Sequence, residues 1–118
     1  MEGRRGDRLH SRGAIVVMSV SGEVDVMNVD ELRERLVEAW SQATPDLVLD
    51  LSKVRFIDSA GMRLLLATFV HGSVRPGRKA FGGVSDFVLR LVSMLGMRDY
   101  LPIYSNQQVA VAALAAAG

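Results

Sequence analysis

The sequence predicts a single α/β domain: a mixed β-sheet of four to five strands packed with about four α-helices. Three observations carry that expectation. β-rich runs alternate with segments of helical periodicity along most of the chain. The run Leu47–Leu51 is apolar on both faces, which suits the middle of a sheet covered on two sides. A short loop then leads into Asp58-Ser59-Ala60-Gly61 and the apolar segment Met62–Ala67, the pattern of a buried strand handing the chain to a helix. The resulting string, β-α-β-α-β-α-β-α, implies a sheet with crossover helices.

The elements follow in order. Residues 1–13 hold four arginines and three glycines with little apolar content, and read as a flexible tail or, around Leu9, a short edge strand turning through Ser11-Arg12-Gly13. The domain proper is expected over 14–118. Ala14–Val20 is a strand, ended by Ser21-Gly22-Glu23-Val24-Asp25. Asn28 stands three residues before Glu31, the spacing of a capping box, and Val29, Leu32, Leu36 and Trp40 then recur at helical intervals. Thr44-Pro45-Asp46 stops that helix before the Leu47–Leu51 strand. A second helix is expected from about Ala60 to Val70, broken by His71-Gly72-Ser73 and Pro76-Gly77.

Lys79–Val84 is the next strand, with Gly82 and Gly83 leaving little to pack inside it. Ser85 or Asp86 caps a third helix, with Phe87, Leu91, Met94 and Leu95 as its apolar stripe and Gly96 as its stop. Leu101–Tyr104 reads as an edge strand, because Pro102 cannot donate to a ladder. Ser105 and Gln108 form a second capping box before an alanine-rich helix over Val109–Ala116.

Composition narrows the function. The 118 residues are enough for one modest core, and 49% hydrophobic with 23% charged residues fits a globular chain. Fourteen basic against thirteen acidic residues leave no concentrated basic face for nucleic acid. The absence of cysteine removes disulfides, zinc-thiolate sites and thiol nucleophiles. No apolar run approaches the roughly 20 residues of a membrane span, and no signal peptide is evident, so a cytoplasmic location and no direct membrane insertion are expected.

Ser59 is the residue on which function turns. A serine at a helix start is either a plain cap or a place where a phosphate is added and held by unpaired backbone N–H groups. Asp58 beside it either caps the helix or orients the hydroxyl. Glu23 and Asp25 are turn acids or part of a binding surface. Val26 and Met27 are apolar residues in an exposed loop, either stapling onto the core or offering a contact patch. Met62 and Arg63, on the first turn after Ser59, are further contact candidates. Catalysis finds no constellation: His10 and His71 lack the spacing of a triad or a metal site, and no Gly-Lys-Ser/Thr follows a strand. A non-enzyme without a cofactor of its own is expected.

The turn Asp58-Ser59-Ala60-Gly61 after a buried strand resembles the signature of the STAS family of sulfate-transporter and anti-sigma factor antagonist domains. Gly22-Glu23-Val24-Asp25 before the first helix and Ser93-Met94-Leu95-Gly96-Met97 at the end of the third resemble further family segments. The version with serine directly after the aspartate looks most like bacterial anti-sigma factor antagonists. The resemblance implies that the unmodified protein binds an anti-sigma factor with a histidine-kinase-like ATPase fold and so releases a sigma factor. That partner phosphorylates the serine matching Ser59, and a PP2C-type phosphatase reverses the change. Ser59 is then the phosphoacceptor, with Glu23, Asp25, Val26, Met27, Asp58, Ala60, Gly61, Met62 and Arg63 as partner-binding residues. Ala60 stands where many antagonists carry a second small hydroxyl residue, leaving Ser59 as the turn's sole phosphoacceptor. The alternative implied by the same family is a scaffold or cytoplasmic subunit of a stress-signalling complex or membrane transporter.

Overall fold

A computed structural model describes residues 8–12, 15–40, 46–72 and 78–117. Five strands, β1 (Arg8–Arg12), β2 (Ile15–Val24), β3 (Asp46–Ile57), β4 (Lys79–Val84) and β5 (Ile103–Tyr104), lie side by side in chain order. β1 pairs antiparallel with β2, and every later pair is parallel. The crossovers are α1 (Val29–Trp40), α2 (Ser59–Gly72) and α3 (Asp86–Met94), and α4 (Gln107–Ala117) follows β5. The expected mixed sheet with four helices is therefore the observed fold. The expected breaks at 44–45 and 73–77 and the turn at 13 lie outside the described residues.

Strand alternation divides the core between two faces. Val16, Met18 and Val20 of β2 and Leu47, Leu49 and Leu51 of β3 pack with Leu32 and Leu36 of α1, Met62 and Leu65 of α2, and Val88 and Val92 of α3. On the other face, Ile15, Val17, Val48 and Ala80 pack with Ala110 and Leu114 of α4. Three helices thus cover one face and α4 covers part of the other. That is why Leu47–Leu49 are buried without alternation.

The two glycines of β4 have a packing reason. A Cβ on Gly82 would lie 2.6 Å from Val48 Cγ1 and 3.0 Å from Gln107 Cα, so α4 begins directly on the strand. Gly83 adopts φ +96, a conformation L side chains rarely take. The same junction corrects the expected cap of α4: Asn106, not Ser105, receives the Val109 N–H at 2.9 Å.

The stripe expected on α3 is also corrected. Val88 and Val92 are its buried residues, with Leu89 and Leu91 partly covered, whereas Met94 is 77% and Leu95 53% exposed. Apolar residues fall on both possible phases of Asp86–Leu95, so periodicity could not choose. Docking chooses, because Ser85 caps the helix at Val88 and its own N–H is held by Leu51 O at 3.1 Å.

β4 leaves β3 at the Leu51–Val84 pair, while β2 and β3 run on together as far as Val24–Ile57. This two-stranded extension carries the loops that follow it, residues 25–28 and the turn at Asp58.

Candidate functional site

Asp58 is the centre of the site. Its N–H donates to Val24 O at 3.1 Å, which ties the end of β3 to the end of β2. Its carboxylate caps α2 by accepting the Gly61 N–H at 2.9 Å on Oδ1. The other oxygen, Oδ2, accepts the Val26 N–H at 3.0 Å from the loop after β2. One carboxylate therefore clasps two loops that lie 32 residues apart in the chain. The Gly61 bond above all, with the Val26 and Ala60 N–H groups, holds Asp58 below the usual carboxylate range despite some desolvation. Of the two roles left open for Asp58, cap or hydroxyl orienter, the geometry gives it the cap.

Gly61 is what allows the clasp to close. A Cβ there would meet Val24 O at 2.6 Å, Val24 Cγ1 at 2.7 Å and Ile57 Cγ1 at 2.8 Å. Only a residue without a side chain lets the first turn of α2 lie this close to the ends of β2 and β3.

Ser59 is the first residue of α2 and is exposed. Of the two readings open for Ser59, the plain cap is not the one observed, since Asp58 takes that position and leaves the Ser59 side chain on the surface. The backbone donor at Gly61 that would otherwise hold an anion is already claimed by Asp58.

The loop between β2 and α1 is tightly built. Asp25 Oδ1 accepts the Met27 N–H at 3.0 Å, and Asp25 O accepts from Asn28 and Val29 at 3.0 and 2.8 Å. Asn28 faces backwards: its Oδ1 accepts the Asp25 N–H and its Nδ2 donates to Glu23 O. The capping box expected between Asn28 and Glu31 is thus replaced by a fold-back on the loop, because the Asn28 side chain is taken up by the Asp25 N–H and Glu23 O. This structural part for Asn28 was not anticipated, although an asparagine three residues after an aspartate in a loop is a usable turn signal. With the backbone so held, Val26 and Met27 are pushed outward and are 68% and 88% exposed.

The other expected contact residues separate by burial. Arg63 is exposed, whereas Gly61 is buried and Met62 is only 6% exposed, within the core beneath α2. Helical phase turns position 62 inward, which corrects its reading as a surface contact. Ala60 is partly buried against the same core. Glu23 is exposed and lies 3.7 Å from Arg55 across the strand pair. A further aromatic pair, Phe56 on β3 and Phe87 on α3, meets with ring centroids 5.6 Å apart beside the turn.

Among the described residues no group of three or more His, Asp or Glu is placed to hold a metal ion, and no helix is long and apolar enough to cross a membrane. The fold and this end of the sheet define a class: a small α/β domain whose conspicuous surface is a pair of clasped loops displaying one hydroxyl and two apolar side chains. The STAS domain model matches residues 8–110, and the chain belongs to that family.

Its similarities to individual proteins agree. It is 32% identical over 99 residues to the anti-sigma F factor antagonist of Paenibacillus polymyxa, covering 83% of this chain and 84% of that one. It is 30% identical over 92 residues to an anti-sigma-B factor antagonist of Staphylococcus epidermidis, covering 78% and 85%. The crystal structure of an anti-sigma factor antagonist from Mycobacterium paratuberculosis superposes with a TM-score of 0.76 at 26% identity, over 92% of each chain.

Proposed function

We propose that this chain is an anti-sigma factor antagonist switched by phosphorylation of Ser59. The unmodified protein docks through the Val26–Met27 loop and the exposed Ser59 and Arg63 at the start of α2 on an anti-sigma factor that is also a serine kinase of the histidine-kinase-like ATPase fold. Docking frees a sigma factor, and a PP2C-type phosphatase restores the active form. The observation that carries this reading is an exposed serine beside two apolar side chains held outward by a hydrogen-bonded loop. Relatives named as anti-sigma factor antagonists, matched over most of their own length, support it further.

The chemistry is electrostatic and needs no cofactor in this chain. A phosphate adds about −1.5 to −2 charges at neutral pH. At Ser59 that charge stands next to Asp58, whose carboxylate already occupies the helix N-terminus. The dianion is therefore turned toward solvent, onto the surface a partner must desolvate, and opposes docking by charge and bulk. Asp25 and Glu23 lie on the neighbouring loop and strand and add to the repulsion. Arg63 supplies a positive group one turn along. The chain acts as a regulator, not an enzyme, in the cytoplasm where sigma factors work.

The test is mass spectrometry of the protein recovered from its own host, alongside Ser59→Ala. A phosphate localised to Ser59 and absent from the variant is expected. Absence of phosphate under every growth condition would return Ser59 to an ordinary helix residue and reject the switch.

A further inference from the structure

The sheet face that α4 covers is only half covered. α4 packs on Ile15, Val17, Val48 and Ala80. Beyond its first residue the same face turns polar, and a cleft of about 470 Å³ opens over Ser19, Ser21 and Asp50. We propose that this cleft binds a small phosphorylated sugar or polyol, independently of Ser59 and of the partner-switching reading.

Its floor is a cross-strand rung. Arg8 of β1 stands opposite Ser19 of β2, which stands opposite Asp50 of β3, and Ser21 stands opposite Lys53. Gln107, the first residue of α4, reaches down to this floor. Its Nε2 donates to Ser19 Oγ at 3.0 Å and to Asp50 Oδ2 at 2.7 Å. The other Asp50 oxygen accepts the Ser52 N–H at 2.9 Å and the Ser52 hydroxyl at 2.6 Å. Both carboxylate oxygens are thus engaged within the floor. Arg8 and Lys53 line the cleft, and among the described residues neither is bound into an ion pair. Asp50 keeps its negative charge, since its donors are neutral, but the two cations Arg8 and Lys53 outnumber it and leave the cleft net positive. The planar fork of an arginine matches phosphate oxygens in particular.

The second half of the ligand is read from the adjoining hollow. A further space of about 220 Å³ shares Asp50 and Gln107 with the cleft and is lined by Ser52, Ser105, Asn106 and Gln108. The hydroxyls and amides of these side chains can donate to and accept from a polyhydroxylated body, whereas an aromatic or aliphatic one would leave them unpaired. The cleft of about 470 Å³ by itself falls within the range of roughly 300–1,000 Å³ seen for small-molecule sites, and exceeds what inorganic phosphate needs.

The experiment is a backbone-amide NMR titration of the full chain at constant ionic strength, with glucose 6-phosphate, glucose and inorganic phosphate as separate probes. Glucose 6-phosphate is expected to give saturable shifts at Ser19, Ser21, Lys53 and Gln107, at concentrations about tenfold below those inorganic phosphate needs, a difference of about 1.4 kcal/mol. Glucose is expected to give none. Arg8→Ala with Lys53→Ala, both on exposed side chains, is expected to weaken the response at least about tenfold while the rest of the spectrum stays unchanged. Shifts that fail to saturate, equal responses to phosphate and glucose 6-phosphate, or a response that survives the double substitution would overturn the proposal.

Discussion

Gly61→Ala is the sharpest probe of how the site is built. In an ordinary helix interior the change would stabilise, because alanine is favoured over glycine by about 1 kcal/mol. Here the new Cβ would lie 2.6, 2.7 and 2.8 Å from Val24 O, Val24 Cγ1 and Ile57 Cγ1. None of these is the free end of a flexible chain: one is a backbone carbonyl, and the others belong to branched side chains that are 0% and 3% exposed. Overpacking a filled site costs about 1–3 kcal/mol, and three such contacts with a backbone atom among them place this one at the upper end. Less the gain in helix preference, the expected net loss is about 2 kcal/mol. Urea denaturation should show this as a lower midpoint with an unchanged slope. Thermal unfolding should fall by about 8 °C for a domain of this size. The amides of Val26 and Asp58 should shift, since relief of the clash requires α2 to move off β2. A variant as stable as the wild type, or more so, would refute the close-approach argument.

Three further expectations follow from the same geometry. Asp58→Asn keeps an acceptor for the Gly61 N–H but loses the second carboxylate oxygen that holds the Val26 N–H, so faster amide exchange at Val26 is expected with little change in the core; unchanged exchange there would sink the clasp. The Asp58 carboxyl titrates below its ordinary value when folded, so its contribution is complete above about pH 4, the unfolded carboxylate range, and fades as pH falls through the lower folded value. The stability difference between wild type and Asp58→Asn should therefore shrink on acidification, and a difference that grows would contradict the sign. On α3, Val88→Ala should cost about 2 kcal/mol by removing buried methyl groups, and Met94→Ala less than about 0.5. Reversal of that order in denaturant titrations would restore the helix phase expected from sequence.

A second carboxylate shows the same logic in a purely structural setting. Burial pushes Asp46 up, but two hydrogen bonds and the charge of Arg78 outweigh it and hold the group below its usual value. Arg78 also donates to Leu114 O at 2.7 Å, so one guanidinium joins the start of β3 to the last turns of α4. Neither partner stood out in the sequence, because 32 and 36 residues separate the groups involved.

What the sequence determined by itself was everything governed by neighbours in the chain. The apolar run at Leu47, the periodicity of Val29, Leu32 and Leu36, and the small-residue turn at Asp58 are local patterns, and each produced the strand, helix or turn expected. The glycine of that turn was legible as a motif, yet its reason, the ends of Val24 and Ile57 pressing on it, exists only after β2 and β3 are paired. Tertiary structure alone decided the phase of α3, the inward turn of Met62, the fold-back of Asn28 and the span of the Asp58 carboxylate to Val26. The physical reason is common to all four. Apolar residues fit either side of an amphipathic helix and polar ones accept any donor within reach, so periodicity leaves several arrangements equal until long-range packing brings one particular partner close.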